Sequence, residues 1–114
     1  MRGEFMHNHI LARLVTTAIE LKGYPTTEEF PVSRGQRPAS VDLAVMICGL
    51  LVLIEFERST ARIRADVAKA RMVGAYLLLI VVPHARLVSR VLAALKRLPQ
   101  ASTSDQLQDR KSVV

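Results

Sequence analysis

With 114 residues, half of them hydrophobic, the chain suits one small domain with a single core and is too apolar to be disordered. A formal net charge of +6 and a sequence pI near 10.3 favour a polyanionic partner. The single cysteine, Cys48, excludes an internal disulfide and cannot alone form a thiolate metal site, and the longest apolar runs, 43–54 and 75–83, are too short to cross a bilayer. A soluble cytoplasmic protein with no membrane partner is expected.

Residues 1–9 read as a flexible leader, with 1–5 an added extension ahead of a natural start at Met6. His7 and His9 lack further ligands nearby and are not read as a metal site. Over 10–22, Leu11, Leu14, Val15, Ala18 and Leu21 recur at helical spacing, and Gly23 ends the helix. Glu20 lies near that stripe, either as a surface residue or as an accessory acid. Residues 23–38 read as a loop with one short edge strand at 29–33, confined to an edge by Pro31. Arg34 and Arg37 fall at the tip of a turn.

The next stretch carries the chemistry. Residues 41–47 and 50–57 are rich in Val, Ile, Leu and Phe, and Cys48-Gly49 between them supplies a two-residue hairpin turn. If Ile47 faces Leu50, counting outward puts Asp42 opposite Glu55, and Glu57 points to the same face as Glu55. Leu51, Leu53, Ala44 and Met46 share that face. Val52, Ile54, Val45 and Ile47 fill the other, so the hairpin reads as the centre of a sheet. Like charges facing each other across strands repel, and burial adds to the cost. A divalent cation relieves both, and carboxylate oxygens suit Mg²⁺. The alternative places Glu55 and Glu57 at a solvated strand end, with Asp42 capping a turn.

Ser59 or Thr60 is expected to cap a helix running to about Val73 and ended by Gly74. Ile63, Val67, Ala70 and Gly74 form the face laid on the sheet. Arg62, Asp66 and Lys69 form a second stripe, which is either a solvated charged face or one that turns Arg62 or Lys69 back toward the acids. Residues 75–82 read as a buried strand parallel to 50–57. Pro83 and His84 open a last helix, apolar at Leu87, Val88, Val91, Leu92, Leu95 and Leu98, which either covers the second sheet face or pairs with another copy. Residues 99–114 read as a flexible polar tail, leaving 10–98 as the domain. With Trp absent and few aromatics, contacts to nucleic acid are expected at phosphates, with Arg34, Arg37, Arg58 and Arg62 as candidates.

The order α-β-β-β-α-β-α, with Asp42 in the second strand and Glu55-Phe56-Glu57 ending the third, resembles the PD-(D/E)XK nuclease superfamily over about 10–98. The resemblance implies an α/β (α+β) restriction-endonuclease-like core with a mixed four-stranded sheet flanked by helices. It also implies a Mg²⁺- or Mn²⁺-dependent DNA endonuclease in which Asp42 and Glu55 bind the ion. Glu57 stands where the family usually has lysine, so this is an E-x-E variant, and Lys69 or Arg62 is expected to supply the missing positive charge. With so little chain beyond the core, a homodimer is expected. The alternative is an inactive fold relative that binds DNA or a protein partner.

Overall fold

The computed structural model describes residues 2–34 and 37–99, with side chains from residue 10 onward except at 34 and 37. Helix α1 (Arg2–Leu21) is followed by β1 (Thr26–Arg34), β2 (Arg37–Ile47), β3 (Leu50–Phe56), α2 (Ile63–Met72), β4 (Leu77–Val81) and α3 (Ala85–Arg97). The four strands form one mixed sheet in the order β1-β2-β3-β4, antiparallel except for the parallel β3–β4 pair. The architecture is the α+β arrangement expected from the sequence.

The hairpin forms as counted. Ile47 pairs with Leu50, and Cys48 and Gly49 between them have φ of 53° and 77°, the two positive values that a tight primed turn requires. Gly23, at φ 90°, ends α1 and returns its N–H to the Glu20 carbonyl.

The sheet is covered on both faces. Leu11, Ala12, Val15 and Ile19 of α1 pack on Leu43, Val45, Val52, Ile54 and Phe56. On the opposite face Ala70 of α2 joins Val32, Val41, Ala44 and Leu53. A third cluster, Ile63, Leu87 and Val91, joins α2 to α3.

Three expectations are corrected. First, 23–38 is mostly strand rather than loop: β1 and β2 run almost to their turn, with Arg34 paired to Arg37. Pro31 is accommodated because β1 is an edge. Second, α1 begins at Arg2, so backbone assigned to a leader is helical. Third, α3 does not cover the second sheet face, since the α1 stripe occupies it. Instead Leu87 and Val91 lie against Ile63, with Ile80 and Val82 of β4 alongside. The tail expected at 99–114 lies outside the described residues beyond Pro99, as do the side chains of His7, His9, Arg34 and Arg37.

Among the described residues no helix is long and apolar enough to cross a membrane. The burial pattern makes a direct prediction. Leu53 is fully buried, so Leu53→Ala should destabilise the protein by about 2–5 kcal/mol. Leu79 is 43% exposed on β4, and Leu79→Ala should cost less than about 1 kcal/mol. Urea unfolding of the two variants checks the assignment; equal losses would contradict it.

Candidate active site

The β2–β3 ladder runs from Ile47↔Leu50 to Leu43↔Ile54 and stops there. The next two residues outward, Asp42 and Glu55, face each other, but they replace backbone pairing with side-chain bonds. The Asp42 N–H donates to Glu55 Oε1 at 2.9 Å, and the Phe56 N–H donates to Asp42 Oδ2 at 2.8 Å. Each carboxylate thereby satisfies an amide that the opened ladder would leave without a partner.

The other side of β2 is distorted at the same level. The β1–β2 pairing includes Glu28↔Leu43 and Phe30↔Val41 but omits Glu29, which falls opposite Asp42 and has φ 50°. Glutamate rarely adopts that conformation, though the β1–β2 register is unchanged on either side of it. Val41 and Ala44, three residues apart, both join the cluster under α2, whereas strict alternation would separate them. Ser40 Oγ donates to Glu29 Oε2 at 3.0 Å beside the distortion.

Helix α2 closes the site from above. Its first turn is prepared by residues 58–62, where the Ala61 N–H donates to Ser59 Oγ at 3.2 Å. The helix therefore starts at Ile63, with Arg62 at the N-cap, rather than directly after Ser59 or Thr60. From this start Ile63 and Ala70 are buried, and so are Asp66 and Lys69, one turn apart on the same face.

Lys69 Nζ lies 2.6 Å from Glu55 Oε2 and 3.8 Å from Asp66 Oδ1, and it donates to the Ser40 carbonyl at 2.8 Å. The contact with Glu55 is an ion pair lacking hydrogen-bond alignment, because Glu55 Oε2 has no directed partner. The directed bond of Lys69 goes to Ser40. Two acids therefore meet this lysine, Glu55 from the strand and Asp66 from the helix, while Asp42 and Glu57 lie near enough to Glu55 or Asp66 to perturb their neighbours' ionisation. Glu55, Glu57 and Asp66 are 2%, 8% and 1% exposed.

Burial is the main cause that pushes the Asp66 carboxyl up to about 10, with the neighbouring Glu57 and Glu55 carboxylates adding to it. Asp42 is raised to about 6, chiefly by burial. The Phe56 N–H opposes that shift, and Glu55 and Glu57 reinforce it. At neutral pH Asp66 is thus a neutral acid able to donate its proton to a neighbouring carboxylate. This accounts for two buried oxygens that receive no donor.

The structure sets Asp42 across from Glu55, as the hairpin count expects, and turns Lys69, rather than leaving it on a solvated face, against Glu55; Glu57 is buried near Asp66. It does not bring Arg62 to them, which is exposed at the N-cap of α2. Glu20 also stays away: it is exposed and accepts a bond from Thr26 Oγ1 at 3.2 Å. Arg58, half-buried just after Glu57, is engaged within the protein. Asp66 is the site residue that sequence reasoning passed over. Its signal was present, since it lies three residues after Ile63 and four before Ala70, on the face laid against the sheet. An open depression of about 510 Å³ lined by His84, Ala85 and Arg86 lies at the start of α3. It follows the end of β4, where the Glu57 N–H donates to the Val81 carbonyl at 3.0 Å.

Among the described residues, no group of three or more His, Cys, Asp or Glu is arranged as a ready cage for a metal ion. The donor chemistry suits a hard cation that keeps most of its waters and takes only two carboxylates. Asp42 retains an oxygen not spent on Phe56, and Glu55 retains the oxygen now facing Lys69. Comparison with protein-family models, with curated proteins and with solved structures gave no match.

The raised carboxyl of Asp66 has a measurable consequence for stability. The folded protein keeps a proton that the unfolded chain sheds above 3.8, so the stability this group contributes is complete at low pH and is lost as pH rises toward 10. Between about pH 7.5 and about pH 8.5, above the range of Asp42, unfolding free energy should fall by up to about 1.4 kcal/mol per pH unit from this carboxyl alone. Asp66→Asn should flatten that slope. Urea titrations of both proteins across the interval test it, and parallel slopes would contradict it.

Proposed function

We propose that the chain is a small divalent-metal-dependent nuclease that hydrolyses phosphodiester bonds of DNA, as the resemblance to the PD-(D/E)XK superfamily suggests. One observation carries the reading: the Lys69 ammonium from α2 is brought against Glu55, beside the crossed Asp42–Glu55 pair. A positive charge is thereby supplied where the E-x-E ending of β3 lacks a lysine.

In this reading Asp42 and Glu55 hold Mg²⁺ or Mn²⁺ through their oxygens. When bound, the ion would activate a water and offset the charge developing on a phosphodiester. Glu57, buried but not sealed, orients the attacking water and takes up its proton on a carboxylate oxygen. Lys69 donates to a phosphate oxygen. The net charge of +6 would draw the polyanion, and Arg86, at the depression that follows β4, is a candidate to meet a phosphate. A homodimer is part of the proposal, because one small domain presents little surface for recognising DNA.

A second reading has its own support. Lys69 already neutralises Glu55, and a protonated Asp66 needs no counter-charge, so the cluster is tolerable without a metal. That favours a catalytically inactive relative which binds DNA, or a partner protein, through its basic surface.

Supercoiled and branched DNA incubated with Mg²⁺ or Mn²⁺ separates the two. Hydrolysis should occur, and Asp42→Asn or Glu55→Gln should reduce it on the order of 100-fold or more. DNA that is retarded in a gel in a salt-dependent, metal-independent way, and is never cut, would establish the second reading instead.

A further inference from the structure

The metal site proposed above poses a problem of its own, because the Glu55 oxygen that a cation would use is the one Lys69 faces. The surroundings of Lys69 indicate how both can be satisfied. Its directed hydrogen bond goes to the Ser40 carbonyl, its contact with Glu55 is unaligned, and Asp66 Oδ1 lies at 3.8 Å with no hydrogen-bond partner. Asp66 is 1% exposed, so solvent does not satisfy it. Even with the Asp66 carboxyl protonated, Oδ1 is an open acceptor within reach of an under-used donor.

We infer that Lys69 is a displaceable counter-ion with two seats: it rests on Glu55 when no cation is bound, and moves to Asp66 when a divalent cation takes the Glu55 oxygen. The inference rests on the cation reading of Asp42 and Glu55. The movement required is about 1 Å, which turns a 3.8 Å separation into an ordinary hydrogen bond. The Ser40 carbonyl serves as the pivot throughout. Asp66 accepts through Oδ1 whether its carboxyl is ionised or protonated. It is therefore a positioning residue, acting on the cation site through Lys69, and it gives the displaced ammonium a seat inside the protein.

Mn²⁺ binding, followed by the loss of the free-ion paramagnetic resonance signal, tests the two-seat arrangement without relying on turnover. Lys69→Met should tighten Mn²⁺ binding by removing the competitor. Asp66→Leu, which abolishes the second seat, should weaken it about tenfold, while Asp66→Asn, which keeps an acceptor, should stay within about threefold of wild type. In the Lys69→Met background Asp66→Leu should have no further effect. Should Asp66→Leu fail to fold, a crystal of the wild-type protein soaked in Mn²⁺ decides the matter: Lys69 Nζ should lie within hydrogen-bonding distance of Asp66 Oδ1. Equal affinities of wild type and Asp66→Leu would overturn the inference while leaving the cation site intact. So would a loss that persists without Lys69, or an ammonium still seated on Glu55 beside the bound ion. Absence of Mn²⁺ binding in every variant would remove the cation site itself, and the inference with it.

Discussion

The site depends on a failure of strand pairing. At Asp42 and Glu55 the central ladder gives up its backbone bonds, and each carboxylate caps an amide across the gap. Bonds from amide N–H to carboxylate are among the stronger hydrogen bonds in proteins, so the opening can persist inside a sheet covered on both faces. On the neighbouring strand, Glu29, opposite Asp42, takes a positive φ and drops out of the pairing at the same level.

The opening then dictates what α2 must bring. Strands that present two buried carboxylates toward a helix need a cation from that helix, or the helix cannot pack. Lys69 meets that need, buried on the same helix as Ile63 and Ala70. The apolar contacts of Ile63 and Ala70 drive the docking, and the lysine makes that docking compatible with the acids beneath it.

Much of this was legible in the residues. The hairpin register followed from Cys48-Gly49 and the lengths of two apolar runs, and it correctly placed Asp42 across from Glu55. The strand, helix, strand succession gave the parallel β3–β4 pair. What escaped was set by tertiary context. The β1–β2 hairpin was hidden because Pro31, Gly35 and Pro38 read as loop punctuation, while Pro31 lies in the edge strand β1, where a proline is tolerated. The start of α1 was hidden because His7-Asn8-His9 has no apolar periodicity to extend the stripe. Arg62, Asp66 and Lys69 looked like one charged stripe, yet Arg62 is the N-cap, ahead of the helix proper, and stays exposed while Asp66 and Lys69 are buried with Ile63 and Ala70.

The composition of the pocket also separates stability from purpose. Replacing buried ionic clusters by apolar side chains of similar volume commonly leaves proteins as stable or more so. A core concerned only with cohesion could therefore fill this space with leucine and valine, as the rest of β3 does. Instead Lys69 lies between Glu55 and Asp66, the latter held neutral by its surroundings, and backbone pairing is given up where Asp42 and Glu55 cap amides across the strands. Such an arrangement costs stability at neutral pH through Asp66, and local rules are broken in this way mainly where a protein handles charge brought from outside.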